Sequence, residues 1–353
     1  MNAYADTLDA VVEPSMLLDA RYRLVKVIAQ GGMGVVYEGL QLSIDRPVAI
    51  KVIRDELVHD KSTAKRFLRE VRLLSKFRHP NVVELFDYGQ TPEGCPYLVM
   101  ELLRGQTLDA LVAETGRLDV WRACEIARQL CDVLAAAHER GIVHRDLKPA
   151  NVIVLDDLGI IKVLDFGIAK SFVPDYDDSE SITHVGMMIG TPLYMAPESI
   201  GGDTDDPRSD LYSLGCILHE LLGGVATFSS PTIGQTLALQ IDAPPPPLPD
   251  DVPRALSDLV FELLAKSPDE RPATARIVRD RIANFVAVEP VQCAPTIADP
   301  PPVAIDELPT VIEQASSQTQ MLTVEAPPSP LRVLAVFVAI AVVLALVVAF
   351  VVP

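Results

Sequence analysis

Residues 144–151 read His-Arg-Asp-Leu-Lys-Pro-Ala-Asn, and residues 165–167 read Asp-Phe-Gly. Asp146 is a carboxylate able to take a proton from a hydroxyl held beside it. Lys148, two residues on, brings a fixed ammonium towards any group on which negative charge develops. Asn151 and Asp165 offer side-chain oxygens, the donors that a hard cation prefers. Phe166 is suited to pack inside and fix the angle of Asp165, and Gly167 gives the backbone freedom to turn. An ordinary polar loop followed by a strand has no need of all these groups together.

The two stretches resemble the eukaryotic-like Ser/Thr protein kinases, and the chain as a whole looks like a bacterial member of that superfamily. The resemblance covers residues 21–286. It implies an α+β bilobal kinase-like fold, with a small β-rich N-lobe (21–102) and a large α-helical C-lobe (103–286). It also implies transfer of the ATP γ-phosphate to Ser or Thr hydroxyls of protein substrates. In that chemistry Asp146 receives the hydroxyl proton, Lys148 reaches the γ-phosphate, and Asn151 and Asp165 hold Mg2+, with Mn2+ admissible in its place. Phosphoryl transfer asks a protein for little beyond such positioning and charge.

Upstream, Val48-Ala49-Ile50-Lys51 reads as a strand ending in a lysine. By resemblance, Lys51 meets the α- and β-phosphates and Ala49 lines the nucleotide site. Lys51 needs a carboxylate partner. Phe67, Val71 and Leu74 recur at helical spacing, and Glu70 lies among them on the apolar side. A carboxylate there is costly unless paired, which points to Lys51 as its partner.

The phosphate loop departs from its pattern at one position. Residues 29–36 read Ala-Gln-Gly-Gly-Met-Gly-Val-Val, against G-x-G-x-x-G-x-V. Ala29 stands where the first Gly is expected, while Gly31, Gly34 and Val36 match. Ile28, Gln30, Gly32 and Met33 complete the stretch expected to cover the nucleotide. Because Ala prefers negative φ, a slightly stiffer loop is expected. Met100 is expected behind the adenine, with Glu101 to Leu103 as the hinge.

Residues 190–198, Gly-Thr-Pro-Leu-Tyr-Met-Ala-Pro-Glu, resemble the segment that receives the peptide, with Thr191 beside Asp146 and Lys148. Thr191 and Lys148 together favour Ser/Thr over Tyr as acceptor. Asp210 is expected to hold the catalytic-loop backbone, and Arg271 to pair with Glu198. Arg145 precedes the catalytic Asp, where a cation often awaits a phosphate from the activation loop. Thr183 is the main expected phosphorylation site, with Ser181 a further candidate.

The formal net charge of −18 makes nucleic acid an improbable partner. Five cysteines without a CxxC spacing read as reduced thiols, with Cys124 and Cys131 in the core. No apolar leader opens the acidic N-terminal extension, residues 1–20. Residues 287–330 are rich in Pro, Thr, Ser and Gln and hold acidic residues but no Lys or Arg, the composition of a disordered tether. In it, the echoing Pro-Thr296-Ile-Ala-Asp and Pro-Thr310-Val-Ile-Glu are candidate autophosphorylated docking sites for forkhead-associated-domain proteins. The other reading of that echo is chance repetition in a spacer. Residues 331–353 are expected to be a transmembrane tail anchor. Val333–Val352 is apolar without a break and long enough for a bilayer core. The expected location is the cytoplasmic membrane, kinase domain inward. Self-association there is expected to promote phosphorylation in trans.

Other function classes make different demands. A scaffolding pseudokinase predicts loss of Lys51, Asp146, Asn151 or Asp165, all of which are present. A small-molecule phosphotransferase predicts no peptide segment, and residues 190–198 are complete.

Overall fold

The alternation of apolar residues in the first hundred positions builds a sheet. The computed structural model describes residues 16–54, 67, 71–72, 74–92, 94–155, 159–166, 192–202 and 205–286. Six strands make the first layer: β1 (Leu17–Leu18), β2 (Tyr22–Gly31), β3 (Gly34–Gln41), β4 (Arg46–Ile53), β5 (Leu85–Gln90) and β6 (Pro96–Glu101). Their order is β1-β2-β3-β4-β6-β5, antiparallel throughout. Strand side chains alternate between faces. Val48, Ile50 and Val52 of β4 therefore pack on one side, with Tyr22, Leu24, Tyr37, Tyr97 and Val99. Ile53 and Leu98 face the other side, where they meet Phe67 and Val71. Ala49 and Lys51 share that second face by period.

The sheet starts ahead of the expected boundary at residue 21. Leu17 and Leu18 pair with Arg23 and Tyr22, and Leu18 is fully buried. The apolar Met-Leu-Leu at 16–18, inside the extension expected over residues 1–20, is the sequence signal for this strand.

The second layer is helical. Its helices are α1 (Leu108–Thr115), α2 (Val120–His138), α3 (Pro197–Ile200), α4 (Arg208–Gly223), α5 (Ile233–Asp242), α6 (Arg254–Leu263) and α7 (Ala275–Val286). Asp119 caps α2 by accepting the Arg122 N–H at 2.9 Å, and Gly224 ends α4 in the left-handed conformation at φ 80°. Helix α4 is buried along nearly its whole length, so it forms the axis of this lobe. Cys124, Cys131 and Cys216 are buried in the same core. Residues 244–249 form a loop between α5 and α6, inside the helical lobe, where the Pro246 carbonyl accepts from His219 at 2.9 Å.

A small antiparallel sheet consists of β7 (Gly105–Thr107), β8 (Val152–Leu155) and β9 (Ile161–Val163). A 3-10 turn at Pro149–Asn151 feeds β8, and β9 runs to Asp165. Val82 bridges to Val163 and ties this sheet to the segment preceding β5.

Among the described residues, no helix is long and apolar enough to cross a membrane. The expected anchor Val333–Val352, the tether with Thr296 and Thr310, Glu70, and the segment with Ser181, Thr183 and Thr191 lie outside the described residues.

Candidate active site

The loop between α2 and β8 gathers the residues that the sequence set in a row. Lys148 Nζ donates to Asp146 Oδ2 at 2.8 Å. Asn151 Nδ2 donates to the Asp146 carbonyl at 2.8 Å and to Oδ2 at 3.2 Å, leaving its own amide oxygen for another partner. The 3-10 turn supplies this proximity, because it brings Asn151 back over Lys148, whose carbonyl accepts the Asn151 N–H at 3.0 Å.

Asp210, at the start of α4, holds the loop from beneath. Its carboxylate is 1% exposed and accepts the His144 N–H at 2.8 Å and the Arg145 N–H at 2.9 Å. His138, at the end of α2, reaches the same carboxylate through Nε2 at 2.8 Å. The sequence reading missed His138; its one signal was a histidine in the last turn of a helix that leads into the loop. Arg145 sits at φ 66° and Asp165 at φ 52°, left-handed values that non-glycine residues rarely adopt. Such strain persists only where the surroundings over-determine it, and it concentrates at functional sites. The paired carboxylate under Arg145 provides that constraint.

His144 is fully buried, and burial pushes its imidazole down from its ordinary value. The neutral ring bridges two strands of the site. Nε2 lies 3.1 Å from the Leu164 carbonyl, and Nδ1 accepts the Asp146 N–H at 3.4 Å. This pattern fits a proton on Nε2. The Phe166 ring centroid lies 4.5 Å from that of His144, tilted against it, and 5.5 Å from that of Phe77, edge-on, so Phe166 is packed inside as expected.

Across the cleft, Lys51 Nζ meets Asp165 Oδ2 at 2.6 Å, and Lys51 is 7% exposed. Asp165 is thus a partner of Lys51, and the expected partner Glu70 lies outside the described residues. The strand register sets Val36 opposite Lys51 and Ala49 opposite Met100, bringing these four together.

The phosphate loop is the turn between β2 and β3. Ile28, Ala29, Gln30 and Gly31 are exposed at the end of β2, Gly32 and Met33 make the turn, and Gly34 opens β3. Ala29 has no positive φ, so its methyl meets no backbone penalty here. A Cβ on Gly31 or Gly32 would meet nothing within 4 Å, leaving their backbone open to approach. A Cβ on Gly34 would lie 2.1 Å from the Val52 carbonyl oxygen, so this glycine is demanded by the β3–β4 contact.

At the hinge, the Glu101 side chain turns away from the cleft. It accepts Lys162 Nζ at 2.6 Å and the Glu84 N–H at 2.8 Å, and its own N–H donates to the Glu84 carbonyl at 3.0 Å. Leu103 follows, half-buried. Lys162, on β9, went unnoticed in the sequence.

The segment after Thr191 is fastened at several points. Arg271 forms a two-pronged pair with Glu198 at 2.6 and 2.8 Å, with the arginine side chain fully buried. Tyr194 donates to Glu220 at 2.7 Å, and burial pushes both the tyrosine and the Glu220 carboxyl upward. Arg145 Nη2 binds Asp205 at 2.7 Å.

The donor set fits a small hard cation. Asp165 and the free oxygen of Asn151 are oxygen ligands, and magnesium typically takes one or two carboxylates with the rest from phosphates and water. Among the described residues no group of three or more His, Cys, Asp and Glu could hold a metal by itself.

A β-rich lobe over a helical lobe, with a carboxylate, ammonium groups and hard-cation ligands converging between them, defines the kinase-like class of folds. The chain belongs to the protein kinase domain family, whose model matches residues 22–282. Serine/threonine-protein kinase pkn3 of Myxococcus xanthus is 39% identical over 263 residues, covering 72% of this chain and 48% of the relative. Serine/threonine-protein kinase PknA of Mycobacterium tuberculosis is 37% identical over 270 residues, 75% of this chain and 61% of the relative. Serine/threonine-protein kinase PknB of Mycolicibacterium smegmatis is 37% identical over 318 residues, 88% of this chain and 47% of the relative. The chain therefore spans about half to three fifths of the length of these curated relatives.

Proposed function

We propose that this chain is an ATP-dependent Ser/Thr protein kinase. The observation that carries the reading is the joint convergence of Lys148 and Asn151 on Asp146 and of Lys51 on Asp165. A Ser or Thr hydroxyl held beside Asp146 gives it its proton as the oxygen attacks the γ-phosphorus, and ADP leaves. Lys148 balances charge on the transferred group. Lys51, paired with Glu70, orients the α- and β-phosphates. Asn151 and the carboxylate of Asp165 would hold magnesium, which would supply positive charge against the phosphates. Residues Ile28 to Gly34, Val36 and Ala49 enclose the nucleotide, Met100 backs the adenine, and the Glu101 carbonyl and Leu103 N–H meet its edge.

The finer reading extends to regulation and place. Thr191 receives the acceptor peptide beside Asp146. Thr183, and secondarily Ser181, take phosphate in trans, and Arg145 exchanges Asp205 for that phosphate. Residues 287–330 tether the kinase domain to the cytoplasmic membrane through Val333–Val352, and phosphorylated Thr296 and Thr310 recruit forkhead-associated-domain proteins. Mass-spectrometric phosphosite mapping of the full chain in detergent, with ATP and magnesium, tests this beside an Asp146→Asn control. Phosphate on Thr183 that is absent from the control is expected. Equal phosphate on both proteins would point to a contaminating kinase and remove the support.

A further inference from the structure

The backbone of residues 192–194 makes a single 3-10 turn, so its three carbonyls lack the partners a longer helix would give them, apart from a long 3.4 Å bond from the Met195 N–H to the Pro192 carbonyl. Side chains from behind take all three. Gln240 Nε2 donates to the Leu193 carbonyl at 2.6 Å and to the Pro192 carbonyl at 3.2 Å. The Ser213 hydroxyl donates to the Tyr194 carbonyl at 2.7 Å. Gln240 lies on α5 and is fully buried. A buried amide is tolerated where its hydrogen bonds are met, and here each end is met by a different element.

The amide is oriented from its other end. Gln240 Oε1 accepts the Tyr212 hydroxyl proton at 2.5 Å, and the Tyr212 oxygen accepts from Lys266 Nζ at 3.1 Å. Lys266 also donates to the Gln240 carbonyl at 2.7 Å and lies 4.1 Å over the Phe228 ring. It thereby satisfies the last turn of α5, where a cation also opposes the helix dipole. Each bond in this chain polarises the next, from ammonium to hydroxyl to amide to backbone. With Oε1 committed to Tyr212, only Nε2 can face residues 192 and 193.

We propose that Gln240 is a positioning residue for the acceptor side of the site: oriented by Tyr212 and Lys266, it sets the backbone just after Thr191 and so governs binding of a Ser/Thr peptide. The inference rests on reading residues 190–198 as the peptide-receiving segment. Glu198 and Tyr194 are fastened by Arg271 and Ser213, further along the segment. Among the described residues, Gln240 is the side chain that fastens the two positions next to Thr191.

The test uses the full chain as wild type, Gln240→Met and Tyr212→Phe. Phosphate transfer is measured to a synthetic peptide of residues 177–189, with peptide and ATP varied in turn. Gln240→Met keeps the side-chain length and removes both donors and the acceptor. Its peptide KM is expected to rise about tenfold, the scale of a buried hydrogen-bond pair, with the ATP KM unchanged. Tyr212→Phe removes one hydroxyl, leaves Gln240 free to flip, and is expected to shift the peptide KM the same way by a smaller factor. A general loosening of the lobe would instead move both KM values together, and that outcome, or an unchanged peptide KM in a folded variant, overturns the inference. Should Gln240→Met fail to fold, Tyr212→Phe decides by the same criterion. Transfer by the wild type with unchanged peptide KM in the variants sinks this inference alone; no transfer by the wild type to peptide or to itself sinks the proposed function with it.

Discussion

Replacing Asp210 by Asn separates the support of the catalytic loop from its chemistry. The Asp210 carboxylate accepts two backbone N–H groups, from His144 at 2.8 Å and Arg145 at 2.9 Å, and approaches His138 Nε2 at 2.8 Å. Asn keeps the shape and one acceptor oxygen. Its NH2 group must then face one of those two N–H donors at the distance of a lost hydrogen bond. A hydrogen bond to a charged group contributes about 1.5–3 kcal/mol, and a buried N–H left without a partner costs about 1–3 kcal/mol. The expected destabilisation is therefore about 2.5–6 kcal/mol, a large share of the roughly 5–15 kcal/mol typical of a domain. Arg145 would also be released from its φ of 66°, and Asp146 next to it would move. A misplacement of this kind lowers kcat by about 10²-fold. Urea unfolding can follow the single tryptophan, Trp121, whose indole donates to the Val286 carbonyl at 3.2 Å and so reports the packing of α2 on α7. An Asp210→Asn protein with an unchanged unfolding midpoint and an unchanged kcat would refute the reasoning.

Two glycine-loop variants should behave oppositely to the motif's apparent ranking. Gly34→Ala puts a methyl into the Val52 carbonyl oxygen, so a loss of about 1–3 kcal/mol and a raised ATP KM are expected by thermal melting and steady-state kinetics. Ala29→Gly restores the family pattern, yet Ala29 already has an unstrained backbone. Its ATP KM should stay within about twofold and its stability should fall by about 0.5–1 kcal/mol. Acid sensitivity has a defined sign. Burial lowers the imidazole pKa of His144 and His219 in the folded state, so below the unfolded value of about 6.5 the unfolded chain binds the proton first. Stability is then lost as pH falls through that region, by up to about 1.4 kcal/mol per pH unit for each ring. Glu220, whose carboxyl is pushed up by burial, acts in the opposite sense. His219→Gln leaves His144 and Glu220 in place, so urea titrations from pH 7 to 5 should give a shallower loss for this variant than for wild type.

The catalytic loop was legible because its groups lie within eight positions, and a short turn suffices to bring Asp146, Lys148 and Asn151 together. The β4 strand was legible from the apolar run Val48-Ala49-Ile50 ahead of Lys51, and the Phe67–Val71 face from helical spacing. The supporting contacts were less so. His138 meets Asp210 across 72 positions, Lys162 meets Glu101 across 61, and Gln240 meets Leu193 across 47. Such pairs depend on how helices cross and strands align, which no local periodicity records. The left-handed conformation of Arg145 was also invisible, since arginine has no local preference for it and tertiary hydrogen bonds impose it, and that of Asp165 carried only the mild tendency of aspartate towards this region. Two-residue β1 was missed for a simpler reason: a strand that short has no alternation to read.

The central claim is that Asp146 receives the proton in a phosphoryl transfer assembled by this cleft. Its most direct test compares wild type and Asp146→Asn for transfer of the ATP γ-phosphate to the peptide of residues 177–189, with nucleotide affinity measured in parallel. The account predicts a kcat lower by about 10²–10⁴-fold in the variant at nearly unchanged ATP affinity. A variant that transfers phosphate at the wild-type rate would contradict it.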